Sequence, residues 1–72
     1  MRIAVLIPVY NAGKYLRECL DSALAAGEEL ARTGEHGLEI FCCDDGSRDA
    51  SREILQEYAT RHANIRFVVQ EN

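Results

Sequence analysis

The sequence predicts an α/β fold with a three-stranded parallel sheet and the element order βαβαβ. Along the 72 residues, short apolar runs alternate with helical patterns of apolar residues spaced three and four apart. The apolar runs carry apolar side chains at both odd and even positions, which is typical of parallel strands buried between helices. A hydrophobic fraction of 47% and a charged fraction of 28% are ordinary for a globular protein. We therefore expect one small domain.

The first strand is predicted over residues 2–10. Its two faces are both apolar: Ile3, Val5 and Ile7 on one, and Ala4, Leu6 and Pro8 on the other. Pro8 is expected near the end of the strand, because proline cannot donate a hydrogen bond to a sheet. A turn at residues 11–13 leads into a helix from about Lys14. The apolar stripe of this helix consists of Leu16, Cys19, Leu20, Ala23 and Leu24. Gly27 weakens its continuation by ~1 kcal/mol relative to alanine.

The second half of the chain repeats the pattern after a loop predicted over residues 33–37. A second strand is expected over residues 38–43, followed by a polar turn over residues 44–49. A second helix is expected over about residues 50–62. Its stripe consists of Ile54, Leu55, Tyr58, Ala59 and His62. Residues 65–69 complete the pattern as a third strand.

The handedness of the crossovers limits the strand order. Crossovers between parallel strands are right-handed in ~98% of cases. The order 3-2-1 is expected, and it places both helices on one face of the sheet and leaves the other face bare. The alternative order 2-1-3 places one helix on each face. In either order the sheet is thinly covered, so we expect further chain, a partner or a second copy to cover it.

Charge and cysteine content exclude several classes of function. The formal net charge of −4 argues against a general binder of the nucleic-acid backbone. Cys42 and Cys43 are adjacent, Cys19 stands apart, and no cysteine spacing suits a metal site. Three thiols without pairing predict a reducing compartment, and therefore a cytoplasmic location. The apolar run at residues 3–9 is too short to span a bilayer, which needs ~20 residues.

Polar clusters follow the strands where ligands bind in parallel α/β sheets, beyond the carboxyl ends. These clusters are residues 8–11, 44–47 and 70–72. Asp44 and Asp45 allow two interpretations. One is capping of the second helix, where Asp45, Ser47 or Asp49 could each accept an amide hydrogen. The other is hydrogen bonding of a strand-end carboxylate to a nucleoside base or ribose. Tyr10 is either a partly buried aromatic or a ring that stacks on a base. Gly46 would permit a sharp turn and the close approach of a ligand.

Three ordered motifs resemble the N-terminal part of the family 2 inverting glycosyltransferases. They are Ile7-Pro-Val-Tyr-Asn11, Cys43-Asp-Asp-Gly-Ser-Arg-Asp49 and Val69-Gln-Glu-Asn72. The resemblance covers essentially the whole chain. It implies a Rossmann-like half of a GT-A fold, and an enzyme that uses a nucleotide-diphospho-sugar, in many members linked to UDP. The loop at residues 33–37 is longer than is common in the family, and cysteines stand where valines are usual.

The resemblance also implies which residues bind the nucleotide. By motif they are Pro8, Val9, Tyr10, Asn11, Asp44, Asp45 and Gly46. Tyr10 corresponds to the tyrosine of the base pocket, and Asp45 to the aspartate that hydrogen-bonds the base. The family's Asp-x-Asp motif, which holds Mg²⁺ or Mn²⁺ on the diphosphate, and the catalytic base have no counterpart here. We therefore expect no catalytic residue and no metal site within residues 1–72, and metal only in the complete enzyme.

The expected function is thus the nucleotide-sugar-binding part of an inverting transferase with a hydroxyl acceptor, inactive as this segment alone. The complete protein is expected in the cytoplasm or at the cytoplasmic face of a membrane, as for many members of the family. One alternative is a non-enzymatic α/β module that dimerises through its bare sheet face. Another is a receiver-like phosphotransfer domain with Asp44 and Asp45 as an acidic pocket.

Overall fold

The computed structural model describes residues 2–34 and 36–71. Its elements are β1 (Arg2–Val9), α1 (Gly13–Arg32), β2 (Gly37–Asp45), α2 (Ser51–Arg61) and β3 (Ile65–Gln70). Both strand pairs are parallel, so the predicted α/β class and the βαβαβ order are confirmed. Glu35 in the expected loop, and Asn72 in the third motif, lie outside the described residues.

The sheet has the order β1-β2-β3, with β2 in the centre. The expected order 3-2-1 gives each strand the same neighbours, counted from the opposite edge of the sheet. The alternative order 2-1-3 is wrong, since β1 pairs with β2 while β3 pairs with the other side of β2. Both right-handed crossovers therefore run in the same direction, which places α1 and α2 on one face.

The element bounds differ from the expected ones mainly around the second strand. The sequence placed Asp44 and Asp45 in a polar turn, but both belong to β2, opposite Val69 and Gln70 of β3. The turn expectation was wrong because the neighbouring strand continues to Gln70 and keeps the backbone of the two aspartates extended. Helix α1 also runs through Gly27 without interruption. A side chain at Gly27 would meet Leu38 at 3.3 Å, so glycine here permits close packing of α1 on β2.

The core lies between the sheet and the two helices. Its fully or nearly fully buried apolar residues are Val9, Leu16, Leu20, Leu38, Ile40, Cys42, Ile54, Leu55, Tyr58 and Ile65. Ion pairing and hydrogen bonding also join the helices to each other. Arg17 donates two hydrogen bonds to Glu57, at 2.7 and 3.0 Å, and Tyr58 donates one to Asp21 at 2.7 Å. These contacts join the N-terminal half of α1 to the C-terminal half of α2.

The opposite face of the sheet carries no covering layer among the residues that the structure describes. Leu6 is 73% exposed there, and Phe41, its neighbour across the sheet, is 37% exposed. Val68 of β3 is also exposed, while Arg2 and Glu39 form an ion pair at the edge. The expectation that strands are buried on both faces is thus wrong for this part of the chain. The bare face that the order 3-2-1 implied is present.

Candidate functional site

The carboxyl ends of the three strands converge on one polar edge of the sheet. A cavity of about 380 Å³ lies at this edge. Its walls consist of Tyr10, Gly46, Ser47, Arg48, Arg52 and Glu71. Each of the three clusters predicted at the strand ends contributes to these walls. The position of the candidate site, beyond the carboxyl ends of parallel strands, is therefore the one expected for a ligand in this class of fold.

The first loop of the site follows β1. Tyr10 is 60% exposed and stands at the cavity, whereas Val9 is buried in the core. Asn11 has a positive φ of 47°, a conformation that asparagine tolerates better than most residues. Its side-chain oxygen accepts a hydrogen bond from the backbone of Arg48 at 2.8 Å. The backbone turn at Asn11 is thereby tied to the second loop, which lies between β2 and α2.

Side chains of the second loop and of the first residue of α2 cap helix α1, which has no side-chain cap of its own at Ala12. Ser47 accepts a hydrogen bond from the amide of Asn11 at 2.9 Å, and Ser51 accepts one from Ala12 at 3.1 Å. Asp49 accepts one from Gly13 at 3.0 Å. The unpaired amides at the start of α1 are thus satisfied from another part of the chain. This fixes the two loops of the site relative to each other.

Asp49 also accepts an amide hydrogen at the start of the second helix. One of its oxygens accepts a hydrogen bond from the amide of Ser51 at 2.9 Å. The hydroxyl and amide of Ser51, with the amide of Gly13, hold the pKa of the Asp49 carboxyl below its ordinary value. The capping interpretation is therefore confirmed for Asp49. Ser47 does not cap α2, because its hydroxyl accepts the amide of Asn11 before α1. Within residues 2–34 and 36–71, no group donates a hydrogen bond to the side chain of Asp45.

The adjacent aspartates at the end of β2 have different environments. Asp44 is fully buried, and its two oxygens accept hydrogen bonds from the amide of Ser47 and from Arg52, each at 3.0 Å. Asp45 points to the other face of the sheet and is exposed. Since side chains alternate along a strand, the two carboxylates avoid the mutual repulsion of a shared environment. Asp45 is thus free to accept hydrogen bonds from a ligand, whereas Asp44 is engaged.

Gly46 completes the turn after the two aspartates. Its φ of 78° lies in the left-handed region that favours glycine. The sharp turn expected at Gly46 is confirmed, and it directs Ser47 back towards the first loop. Pro8 lies in β1, which is an edge strand of the sheet, and is exposed on the open face.

Four residues at the cavity were not among the predicted ligands: Ser47 and three charged residues. Arg48, Arg52 and Glu71 line it with charged side chains. Arg52 spans two carboxylates, with Asp44 at 3.0 Å and Glu71 at 2.8 Å. No local pattern reveals this contact, since Arg52 and Glu71 are joined only by the packing of α2 against β3. The one indication in the sequence is that Ala12, which precedes α1, has no side chain able to cap the helix. Residues from another part of the sequence must therefore satisfy the amides there.

The described residues do not form a metal centre. No group of three or more His, Cys, Asp or Glu side chains among residues 2–34 and 36–71 is placed to hold an ion. Asp44 is occupied by Ser47 and Arg52, which leaves Asp45 as the one carboxylate of the adjacent pair that is open to a ligand. Mg²⁺ or Mn²⁺ therefore does not fit the described acidic pair. No helix in this part of the chain has the length and hydropathy to cross a membrane.

Comparison with known proteins identifies the family. The model of the family described as glycosyl transferase family 2 matches residues 4–72. The chain belongs to this family. It is 39% identical over 70 residues to a chondroitin synthase of Escherichia coli, which is 97% of this chain and 9% of that protein. It is also 39% identical over 71 residues to the glycosyltransferase GlyA of Streptococcus pneumoniae, which is 99% of this chain and 9% of that one.

A third family 2 relative is a poly(ribitol-phosphate) beta-glucosyltransferase of Bacillus spizizenii. It is 37% identical over 65 residues, which cover 90% of this chain and 10% of that protein. The chain thus spans about a tenth of the length of these three relatives. The family resemblance predicted from the three motifs is confirmed.

Proposed function

We propose that residues 1–72 form the N-terminal nucleotide-binding segment of a family 2 glycosyltransferase domain. The complete enzyme would transfer a sugar from a UDP-linked donor to a hydroxyl acceptor, with inversion at the sugar carbon. The observation that carries the proposal is that an exposed aromatic ring follows β1 and an exposed carboxylate ends β2, both at the carboxyl-end edge of the sheet. Such a ring offers a stacking surface, and the carboxylate accepts hydrogen bonds from a base.

The division of roles within the site follows from burial. Tyr10, Asp45 and Gly46 face or border the open edge and would contact the nucleoside. Val9 and Asp44 are buried, so they would act by holding those neighbours in place. Asn11 would shape the first loop, and Pro8 would border it from the open face of β1. The assignment of these seven residues to nucleotide binding remains a prediction that the geometry supports.

The transfer step itself needs groups beyond those described. Inversion requires a base opposite the leaving group and positive charge on the diphosphate. We propose that these groups, including a site for Mg²⁺ or Mn²⁺, belong to the complete enzyme outside this segment. The segment alone would then bind nucleotide without catalysis. A cytoplasmic location, or the cytoplasmic face of a membrane for the complete protein, also stays a prediction.

Titration of the ¹⁵N-labelled protein with UDP tests the binding proposal. We expect chemical-shift changes to cluster at residues 10–12 and 45–48. Tyr10→Ala should weaken binding about tenfold, since stacking on an aromatic side chain contributes ~1–3 kcal/mol. Tyr15→Ala is the matched control, because Tyr15 is an equally exposed tyrosine that does not line the cavity. The proposal fails if millimolar UDP causes no shifts, or if both variants weaken binding alike.

Self-association through the open sheet face is a second candidate function. The observation that favours it is the presence of three exposed apolar side chains on the open face, Leu6, Phe41 and Val68. Sedimentation velocity at increasing concentration tests it, with Leu6→Lys as the disrupting variant. A monomer that persists at all concentrations excludes this candidate without affecting the nucleotide proposal.

A further inference from the structure

A continuous series of hydrogen bonds crosses the ends of all three strands along the wall of the cavity. It runs from Glu71, after β3, through Arg52 of α2 and Asp44 of β2 to Ser47. Arg52 donates to Glu71 at 2.8 Å and to Asp44 at 3.0 Å, using different nitrogens of its guanidinium group. Ser47 then donates to Asp44 at 3.0 Å and accepts from Asn11 at 2.9 Å. The series of hydrogen bonds ends at Asn11, next to Tyr10, and so joins the end of one edge strand, β1, to the end of the other, β3.

This series of hydrogen bonds is buried at the Asp44 and Ser47 end and exposed to solvent at the Glu71 end. Asp44 and Ser47 are buried, so water does not compete for their hydrogen bonds. The Glu71 side chain is 75% exposed, and its contact with Arg52 can therefore open to solvent. Arg52 is itself partly exposed and stands between the two carboxylates. Its planar group has the fork geometry needed to bind both at once, which a lysine lacks.

We propose that Arg52 is a positioning residue for the nucleoside site, and that Glu71 acts on the ligand through it. By joining Glu71 to the buried Asp44, Arg52 fixes the part of the cavity wall that Glu71 forms. This inference rests on the proposed function, because it assumes that the cavity accepts a nucleoside. It assigns a role to Arg52 and Glu71, neither of which is among the seven residues predicted to bind the nucleotide.

Glu71→Gln separates positioning from simple electrostatics by the sign of its effect. If Glu71 only repels an anionic ligand, removing its charge tightens UDP binding and leaves neutral uridine unchanged. If it acts through Arg52, the weaker contact loosens the wall and both ligands bind less tightly. We expect uridine and UDP affinities to fall by about fivefold, the factor for a net hydrogen-bond contribution near 1 kcal/mol. Since Glu71 is exposed, the variant should remain folded.

A double-variant cycle tests whether Glu71 acts through Arg52. Arg52→Lys keeps a positive charge beside the buried Asp44 and removes the fork. We expect Arg52→Lys to weaken both ligands by the same factor, and the double variant with Glu71→Gln to add no further loss. Glu57→Gln is the matched control, since it breaks a comparable arginine–carboxylate contact far from the cavity. Isothermal titration calorimetry with uridine and with UDP gives all the affinities.

The outcomes separate this inference from the function on which it rests. Independent, additive losses in the two variants, or tighter UDP binding by Glu71→Gln, overturn the positioning role while leaving the binding proposal intact. Equal losses in Glu57→Gln also overturn it, because the effect would then be general loosening. Failure of the unsubstituted protein to bind either ligand overturns both proposals.

Discussion

Ser51 joins the two loops of the candidate site, and its replacement by alanine should destabilise the fold strongly. The Ser51 hydroxyl is wholly buried and accepts the amide of Ala12 at 3.1 Å. In Ser51→Ala no water replaces the lost acceptor, so the amide is left unsatisfied at a cost of ~1–3 kcal/mol. We therefore expect the free energy of unfolding to fall by about 2 kcal/mol. For a domain of this size, the melting temperature should drop by about 10 °C.

Urea denaturation followed by far-UV circular dichroism measures this loss. The denaturant midpoint should fall while the slope of the transition stays constant, since the substitution does not alter the surface exposed on unfolding. Ser22→Ala is the matched control, because Ser22 is exposed on α1. Its effect should stay within about 0.5 kcal/mol. A loss of that small size for Ser51→Ala would show that solvent or a shifted loop satisfies Ala12, and would refute capping by the second loop.

Two further predictions follow from titratable groups. Alkylation by iodoacetamide at pH 8 should modify exposed Cys19 first and spare Cys42, since burial raises the pKa of the Cys42 thiol to about 11. Mass spectrometry of the native protein checks this order of labelling, and early labelling of Cys42 contradicts it. Hydrogen bonds from Ser51 lower the folded-state pKa of Asp49, and Arg17 lowers that of Glu57. Both contributions to stability are present above the unfolded pKa values near 4 and are lost as the pH falls through the folded values. Melting temperatures should therefore drop below about pH 4, and Asp49→Asn should flatten this decline.

The element order could be predicted from the sequence because both periods are strong along the chain. Apolar residues at alternating positions mark the strands, and the stripe through Leu16 and Leu20 marks α1. The covering of the sheet could not be predicted in the same way. Apolar side chains at Leu6 and Phe41 resemble core residues in the sequence, although they are exposed in the described structure. A pattern of hydrophobicity records which surfaces need burial, and it does not record what buries them.

The candidate site was predictable to the level of its loops. Tyr10, Asp45 and Gly46 follow strands in the sequence, and the rule for parallel sheets brings those strand ends together. The contacts behind them were not predictable. Asp49 is a predicted cap of its own helix, and only the packing of α2 beside α1 brings Asp49 to Gly13 and Ser51 to Ala12. Local motifs thus indicate where a ligand binds, whereas the tertiary fold decides what holds the binding residues.

The paired aspartates show how strand geometry divides one motif into two roles. Asp44→Asn removes a buried charge that Arg52 contacts, and leaves the guanidinium partly unpaired. Breaking a fully buried pair costs ~3–5 kcal/mol, and the partial exposure of Arg52 reduces this to about 2 kcal/mol of unfolding free energy.

Asp45→Asn removes an exposed charge and should change stability by less than about 0.5 kcal/mol, while weakening UDP binding about tenfold. Parallel melts and UDP titrations of the two variants measure both quantities. If Asp45→Asn destabilises the fold and spares binding, the alternation along β2 does not separate the roles of these carboxylates. If instead Asp44→Asn destabilises the fold and Asp45→Asn weakens binding, the end of β2 carries a structural acid and a ligand-binding acid one residue apart. Their roles differ because one side chain faces the buried core and the other faces solvent on the open side of the sheet.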